Sequence, residues 1–280
     1  MAPSDAVATA LRRPTYEVIP IKGVDEVVTG LPQDVRLTVT TSPAHGVDRT
    51  VEVAGRLAGM GFRVVPHVAA RFVADRSHLS KITARLGEHD VREIFVIGGD
   101  RTEPLGEFAS STQLLEALAA DDVTFEEVGV AGYPESHPTI SDEETVRAMQ
   151  AKLPHATYIA SQLCFDADAI RDWAQSLVNR GITLPVEVGV PGVAALTKLM
   201  RVSAKIGVGQ SMRFLRGNRG LAKALLEQRG TYYPDQLMAE LEPALADATS
   251  PVRGFHIYTF NEVARTEEWR QARLTELPAA

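Results

Sequence analysis

Eight short apolar runs, rich in β-branched residues and evenly spaced, constrain this chain more than any other feature. They are "YEVIP" (16–20), "VRLTVTT" (35–41), "FRVVPH" (62–67), "EIFVIGG" (93–99), "VGVAGY" (128–133), "ATYIASQ" (156–162), "PVEVGV" (185–190) and "GFHIYTF" (254–260). Near-continuous apolar runs of this length suit strands buried on both faces of a parallel sheet. Amphipathic segments separate them, at 48–61, 77–89, 110–122, 141–154, 166–181, 193–207 and 261–277. Several open on Asp or Ser and close on Gly or Pro, as helix capping favours. The first unit offers only the short "GVDEVVTGLP" (23–32), and 211–247 reads as extra helix before the eighth strand. Eight strand–helix units predict an α/β fold, a (β/α)8 barrel forming a single domain over 14–280. The alternative is an open doubly wound sheet, but no G-x-G-x-x-G opens the first strand–helix turn. Residues 1–13 lack a long apolar stretch and carry an early acid, so they read as a flexible tail rather than a signal peptide.

Composition narrows the function classes. The 280 residues are 45% hydrophobic and 23% charged, with net charge −7. No Lys/Arg run exceeds two residues, which argues against nucleic acid as a partner. No stretch approaches the roughly 20 apolar residues of a membrane span. The single cysteine, Cys164, excludes an intrachain disulfide and a Cys-rich zinc site, and fits a cytoplasmic setting.

A barrel carries its active site at the C-terminal ends of its strands. The polar residues toward the ends of seven of the eight runs are therefore informative. They are Glu17, Thr40 and Thr41, His67, Gly98-Gly99-Asp100, Tyr133 with Glu135 and His137 beyond, Gln162, and Tyr258, Thr259 and Asn261. Polar and ionisable groups thus gather at one rim of an otherwise apolar sheet, as a site for a polar, aromatic ligand requires. In "AGYPESHP" (131–138) two prolines stiffen a loop holding a tyrosine, a carboxylate and a histidine.

These residues resemble a known family. "YPESHP" (133–138), "SQLCFD" (161–166) and "HIYTFN" (256–261), together with "YEVIP" (16–20), "LTVTTSPAHGVDRTVEVAGRL" (37–57), "VVPHVAA" (64–70) and "VIGGDRTEP" (96–104), are similar in kind and order to motifs of the methylenetetrahydrofolate reductase family. The resemblance runs from Tyr16 to Asn261. It implies a (β/α)8 barrel that binds FAD and uses NADH or NADPH to reduce 5,10-methylenetetrahydrofolate to 5-methyltetrahydrofolate. Glu17 matches the catalytic glutamate, the general acid that protonates the departing nitrogen as the methylene bridge opens to an iminium. Desolvation at an apolar mouth favours the protonated form of a carboxyl. Asp100 matches a loop aspartate that contacts pterin and flavin and stabilises the cation. Gln162 matches the amide that reads the pterin edge. Thr40, His67, Gly99, Tyr133 and His137 stand at flavin-contacting positions. Lys152 falls within one position of a cofactor lysine, and Phe108-Ala109 resembles a Tyr-Ala pair. The implied small-molecule partner is a folate, with a homo-oligomer left open and no metal expected.

The chain also departs from the pattern. Gly98 replaces an arginine near the FAD. Some relatives in the wider family pass hydride from the nicotinamide directly to the folate without flavin, which is one alternative. A folate-dependent methyl-transfer or folate-binding protein on the same barrel is another, although a binder has no need of an acid at position 17. Arg213, Arg216 and Arg219 form a basic stretch suited to a folate glutamate tail or phosphate, or to a solvated helix end.

Overall fold

A computed structural model describes residues 5–206 and 230–276; for 202–206 it describes the backbone alone. Eight parallel strands close into a barrel in the order β1-β10-β7-β6-β5-β4-β3-β2. They are β1 Thr15–Val18, β2 Arg36–Val39, β3 Arg63–Ala69, β4 Glu93–Ile97, β5 Glu127–Gly132, β6 Tyr158–Ser161, β7 Val186–Pro191 and β10 Val252–Tyr258. All eight expected strands are present, and the doubly wound alternative falls with the closure. The helices between them cover the outside. Val39, Leu57, Val96, Ile159, Val188 and Ile257 are among the fully buried side chains of one large core between sheet and helices.

Helix starts follow local chemistry. The carboxylate of Asp75 accepts from the His78 amide to open the helix Arg76–Glu88, so the cap is Asp75 rather than the Ser77 that opens the expected segment. Ser141 and Glu144 cap each other reciprocally at the start of Asp142–Lys152.

Three regions differ from the sequence expectation. Residues 5–11, expected as a flexible tail, form a helix that buries Val7, Ala8, Ala10 and Leu11 against the last helix, Val263–Thr275, and the segment before it. Val7, Ala10 and Leu11 stand three and four residues apart, on one helix face. Arg270 ties this helix down by donating to the Leu11 carbonyl at 2.9 Å. Second, Ala194–Ala195 (β8) pairs antiparallel with Thr231–Tyr232 (β9), and the helix expected from 193 starts at Leu196. Third, the extra helices before the last strand are seen at Asp235–Glu240 and Glu242–Ala246. The rest of that expectation, with Arg213, Arg216 and Arg219, lies outside the described residues.

Strand side chains alternate between faces, so the register defines layers inside the barrel. Thr15 pairs with Arg36, Glu17 with Thr38 and with Tyr258, His67 with Phe95, and Ala160 with Glu187. Nearest the strand starts lies a charged layer of Arg36, Glu93, Glu127 and Glu187. An apolar cluster of Val65, Phe95, Tyr158 and Ala160 fills the middle. Gly129 makes room for it, since a Cβ there would sit 2.3 Å from the Tyr158 ring. Above that layer stand Glu17, His67 and His256.

Candidate functional site at the barrel mouth

Glu17 projects from β1 with its side chain 14% exposed. Its Oε2 lies 3.2 Å from His256 Nε2 on β10 and 3.9 Å from His67 Nε2 on β3. The first is a hydrogen-bond distance; the second is too long for one. Both histidines are almost wholly buried. His67 packs its ring 4.7 Å from that of Phe95, and His256 lies 5.0 Å from Tyr258. Burial, reinforced by the nearby His256, holds His67 well below the ordinary imidazole range, so it is neutral. Burial pushes the Tyr258 phenol up, and the Glu17 charge adds to this.

The backbone behind Glu17 is pinned by the segment after β10. Thr259 Oγ1 donates to the Glu17 carbonyl at 2.6 Å. Asn261 Nδ2 donates to the Ile19 carbonyl at 3.1 Å, and its Oδ1 accepts the Ile19 amide at 2.8 Å. To make this clasp Phe260 and Asn261 adopt left-handed φ of 51° and 62°. Asparagine tolerates that conformation; phenylalanine does so at a cost. The Tyr258 hydroxyl donates to the Ser161 carbonyl at 3.1 Å, joining β10 to the end of β6 beside Gln162.

A second group forms on the neighbouring loops. The rings of Tyr133 and His137 meet edge to face at 4.9 Å. Burial raises the Tyr133 phenol, and the charge of Asp100 raises it further. Burial lowers His137, and Asp100 works against that shift. The structure therefore brings Asp100, Tyr133 and His137 together. The loop carrying Asp100 hangs on Arg71, which sequence reasoning missed. Its amide donates to the Gly98 carbonyl, and its guanidinium donates to the carbonyls of Arg101, Thr102 and Ala109. Gly99 takes φ 91°, with Ala69 and Phe72 3.0–3.2 Å from where a Cβ would stand. Gly98 has neither a positive φ nor any atom within 4 Å of a Cβ.

The remaining sequence-based candidates are more dispersed. Thr40 follows β2, and its backbone carbonyl accepts from Thr50 at 2.9 Å. Phe108 is buried in the main core, and the Ala109 amide and carbonyl are taken by Gln113 and Arg71. These two shape the loop. Lys152 ends its helix buried, and burial lowers its ammonium. Gln162 follows β6 with its amide donating to the Gly132 carbonyl at 2.8 Å. His256 is the functional candidate that sequence reasoning passed over. It lies two residues before Tyr258, and strand alternation places both on one face.

Glu17, His67 and His256 are the one group of three, among the described residues, whose His and carboxylate atoms lie within 4.8 Å of one another and so could hold a metal ion. Two of the three donors already satisfy each other. The trio is thus an acid held by an imidazole before it is a cation cage. A partly buried carboxyl at the mouth of a barrel, with an imidazole at hydrogen-bond distance, can give a proton to a bound base.

Comparison with known proteins decides the lineage. The family described as methylenetetrahydrofolate reductase matches residues 21–270. The chain belongs to the methylenetetrahydrofolate reductase family. Methylenetetrahydrofolate reductase 1 of Schizosaccharomyces pombe (strain 972 / ATCC 24843) is 28% identical over 90 residues, which is 31% of this chain and 15% of that protein. The chain thus spans only a small part of that curated relative. Among solved structures, a putative lyase/mutase from Burkholderia cenocepacia J2315 aligns with TM-score 0.42 and 14% identity over 66% of this chain and 74% of that one. A chitinase from Rhizomucor miehei aligns with TM-score 0.37 and 10% identity, over 67% and 71%. Both likenesses are too loose to bear on function. No described helix is long and apolar enough to cross a membrane.

Proposed function

We propose that this family member reduces 5,10-methylenetetrahydrofolate to 5-methyltetrahydrofolate at the expense of NADH or NADPH, with Glu17 as the general acid. The observation that carries the reading is the Glu17 carboxyl, one-seventh exposed at the C-terminal mouth and 3.2 Å from a buried imidazole. Glu17 protonates the departing nitrogen, the methylene bridge opens to a cationic iminium, and hydride reaches the methylene carbon. Glu17 is left as a carboxylate facing the imidazole of His256. Asp100, exposed at the rim, supplies negative charge for the cation. Gln162, partly buried beside β6, offers both an amide donor and an acceptor to the pterin edge.

The residues present suit a flavin. His67 Nε2 is buried with no hydrogen-bond partner, which fits a donor set completed by a bound group. FAD would be held by His67, Thr40, Tyr133, His137, Asp100, the Gly99 turn, the loop around Phe108 and Ala109, and Lys152. When bound, FAD carries the electron pair between nicotinamide and folate. One observation favours the flavin-free route instead: Gly98 stands where the family pattern has an arginine, the guanidinium of Arg71 is spent on loop carbonyls, and that of Arg101 lies 5.6 Å over the Phe72 ring. Folate substrate and cytoplasmic location belong to this proposal, with a homo-oligomer left open.

Anaerobic assay of the purified protein with methylenetetrahydrofolate and each nucleotide, with and without FAD, tests the reading. Folate-dependent oxidation of NADH or NADPH is expected. Its absence with both nucleotides would overturn the reductase reading in favour of a folate binder or methyl carrier. Turnover without saturable FAD binding would select the direct hydride route.

A further inference from the structure

The two histidines around Glu17 are not equivalent, and the difference lies in their unsatisfied atoms. His256 uses Nε2 toward Glu17, while its Nδ1 is buried with no hydrogen-bond partner. A neutral imidazole carries one N–H and one lone pair. An N–H buried without an acceptor is the rarer and costlier orphan, so the lone pair belongs at Nδ1 and the proton at Nε2. The hydrogen-bond network therefore assigns His256 as a donor to Glu17 Oε2. His67 sits 3.9 Å from the same oxygen with Nε2 unpartnered, and makes no such bond.

We propose that His256 is the positioning residue for the acid: its Nε2–H holds Glu17 Oε2 in one place at the barrel mouth. The bond joins β1 to β10, whose register sets Glu17 beside Tyr258 and Thr15 beside His256. The clasp of Thr259 and Asn261 on the Glu17 and Ile19 backbone fixes the main chain of the same residue. β10 and its exit therefore hold both the backbone and the side chain of Glu17. The groups facing this pair are His67 from β3, Tyr258 from β10 itself and Phe95 from β4, and at longer range Tyr133 from the loop after β5. Among these side chains, His256 is the donor to Glu17. With His256 absent the carboxyl keeps its place on β1 but loses its fixed direction, and a misplacement of about 1 Å can cost on the order of 100-fold in rate.

The kinetic side of this inference rests on the reductase reading, so the test has an arm that does not. Two-bond proton–nitrogen spectra of protein labelled with nitrogen-15 histidine report the tautomer of each ring, with the His256 signal identified by its loss in His256→Gln. The expected result is the Nε2–H tautomer for His256, with its N–H resonance moved upfield by Glu17→Gln. An Nδ1–H tautomer, or a resonance indifferent to Glu17→Gln, would overturn the proposal whether or not the protein reduces folate. In the kinetic arm, His256→Ala should lower kcat about 10- to 100-fold with KM little changed. His256→Gln, whose amide nitrogen reaches the place of Nε2, should restore most of the rate. A His256→Ala enzyme with wild-type kcat would overturn the positioning role while leaving the reductase reading intact.

Discussion

The two ends of the barrel interior are both charged, and they are built on opposite terms. At the strand starts, Arg36 is buried and donates to three carboxylates, Glu93, Glu127 and Glu187, each at 2.8 Å. Arg63 adds bonds to Glu93 and Glu127, and the Arg36 guanidinium also lies 4.7 Å over the Tyr158 ring. One Glu187 oxygen is the only buried orphan of this layer. At the strand ends, Glu17 has one imidazole donor, and the orphans are Thr38 Oγ1, His67 Nε2 and His256 Nδ1. A buried polar group left unsatisfied costs free energy, and folding alone gives no reason to keep three of them together. The lower layer satisfies itself and closes the barrel. The upper layer has hydrogen-bonding capacity left for something else, and it lies where barrels carry chemistry.

The largest effect that separates the two ends is expected at Glu17. Glu17→Gln keeps the shape and removes the proton, and loss of general-acid help typically costs about 100- to 10,000-fold. Reduction of folate should fall by that factor; if the proposed FAD is bound, its binding and its reduction by the nicotinamide should survive, because neither needs an acid on the folate. Rapid-mixing measurement of the two half-reactions separates these outcomes.

Arg36→Met should strike the other end. It leaves the buried Glu93 carboxylate with only the half-exposed Arg63, and removing one partner of a buried ion pair typically costs about 3–5 kcal/mol. Urea denaturation should show that loss, with turnover per folded molecule unchanged at low temperature.

A smaller effect sharpens the upper end. Because Gly98 has an ordinary φ and open space beside it, Gly98→Arg should fit without strain and return the cation of the family pattern. One charge-assisted hydrogen bond is worth about 1.5–3 kcal/mol, so FAD affinity in fluorescence titration should rise about 10- to 100-fold. Unchanged affinity would favour the flavin-free route.

The smallest effect is in pH. Burial depresses His67 in the folded protein, so the unfolded chain binds the proton first as pH falls. Stability should therefore decline once pH drops below the ordinary imidazole value of about 6.5. The decline from this one group is at most about 1.4 kcal/mol per pH unit, and His67→Phe should flatten it. Thermal unfolding followed between neutral and mildly acid pH measures the slope.

The contrast also marks what the sequence could show. Strand ends were legible because β-branched runs and the polar residues closing them are local features, so Glu17, His67, Asp100, Tyr133 and Gln162 all stood out. The lower network was not, because Arg36 meets its partners across 57, 91 and 151 residues. Nothing short of the barrel register brings those charges together. His256 was legible in principle, since it shares a strand face with Tyr258, but reading only the last residues of each run stopped one step short. The two-residue strands at 194–195 and 231–232 carry no periodicity to detect. The helix at 5–11 is so short that its apolar face amounts to three residues, and only the docking of Arg270 makes its anchoring plain.

The most direct test measures two quantities on two variants: anaerobic methylenetetrahydrofolate-dependent oxidation of NADH or NADPH, and the free energy of unfolding in urea, for Glu17→Gln and Arg36→Met beside the wild type. A crossed pattern is expected. Glu17→Gln loses turnover by about 100-fold or more and keeps its stability, whereas Arg36→Met loses about 3–5 kcal/mol of stability and keeps its turnover. A Glu17→Gln protein that reduces folate within a few-fold of wild type would contradict the assignment of the acid, and with it the division of labour between the two ends of the barrel.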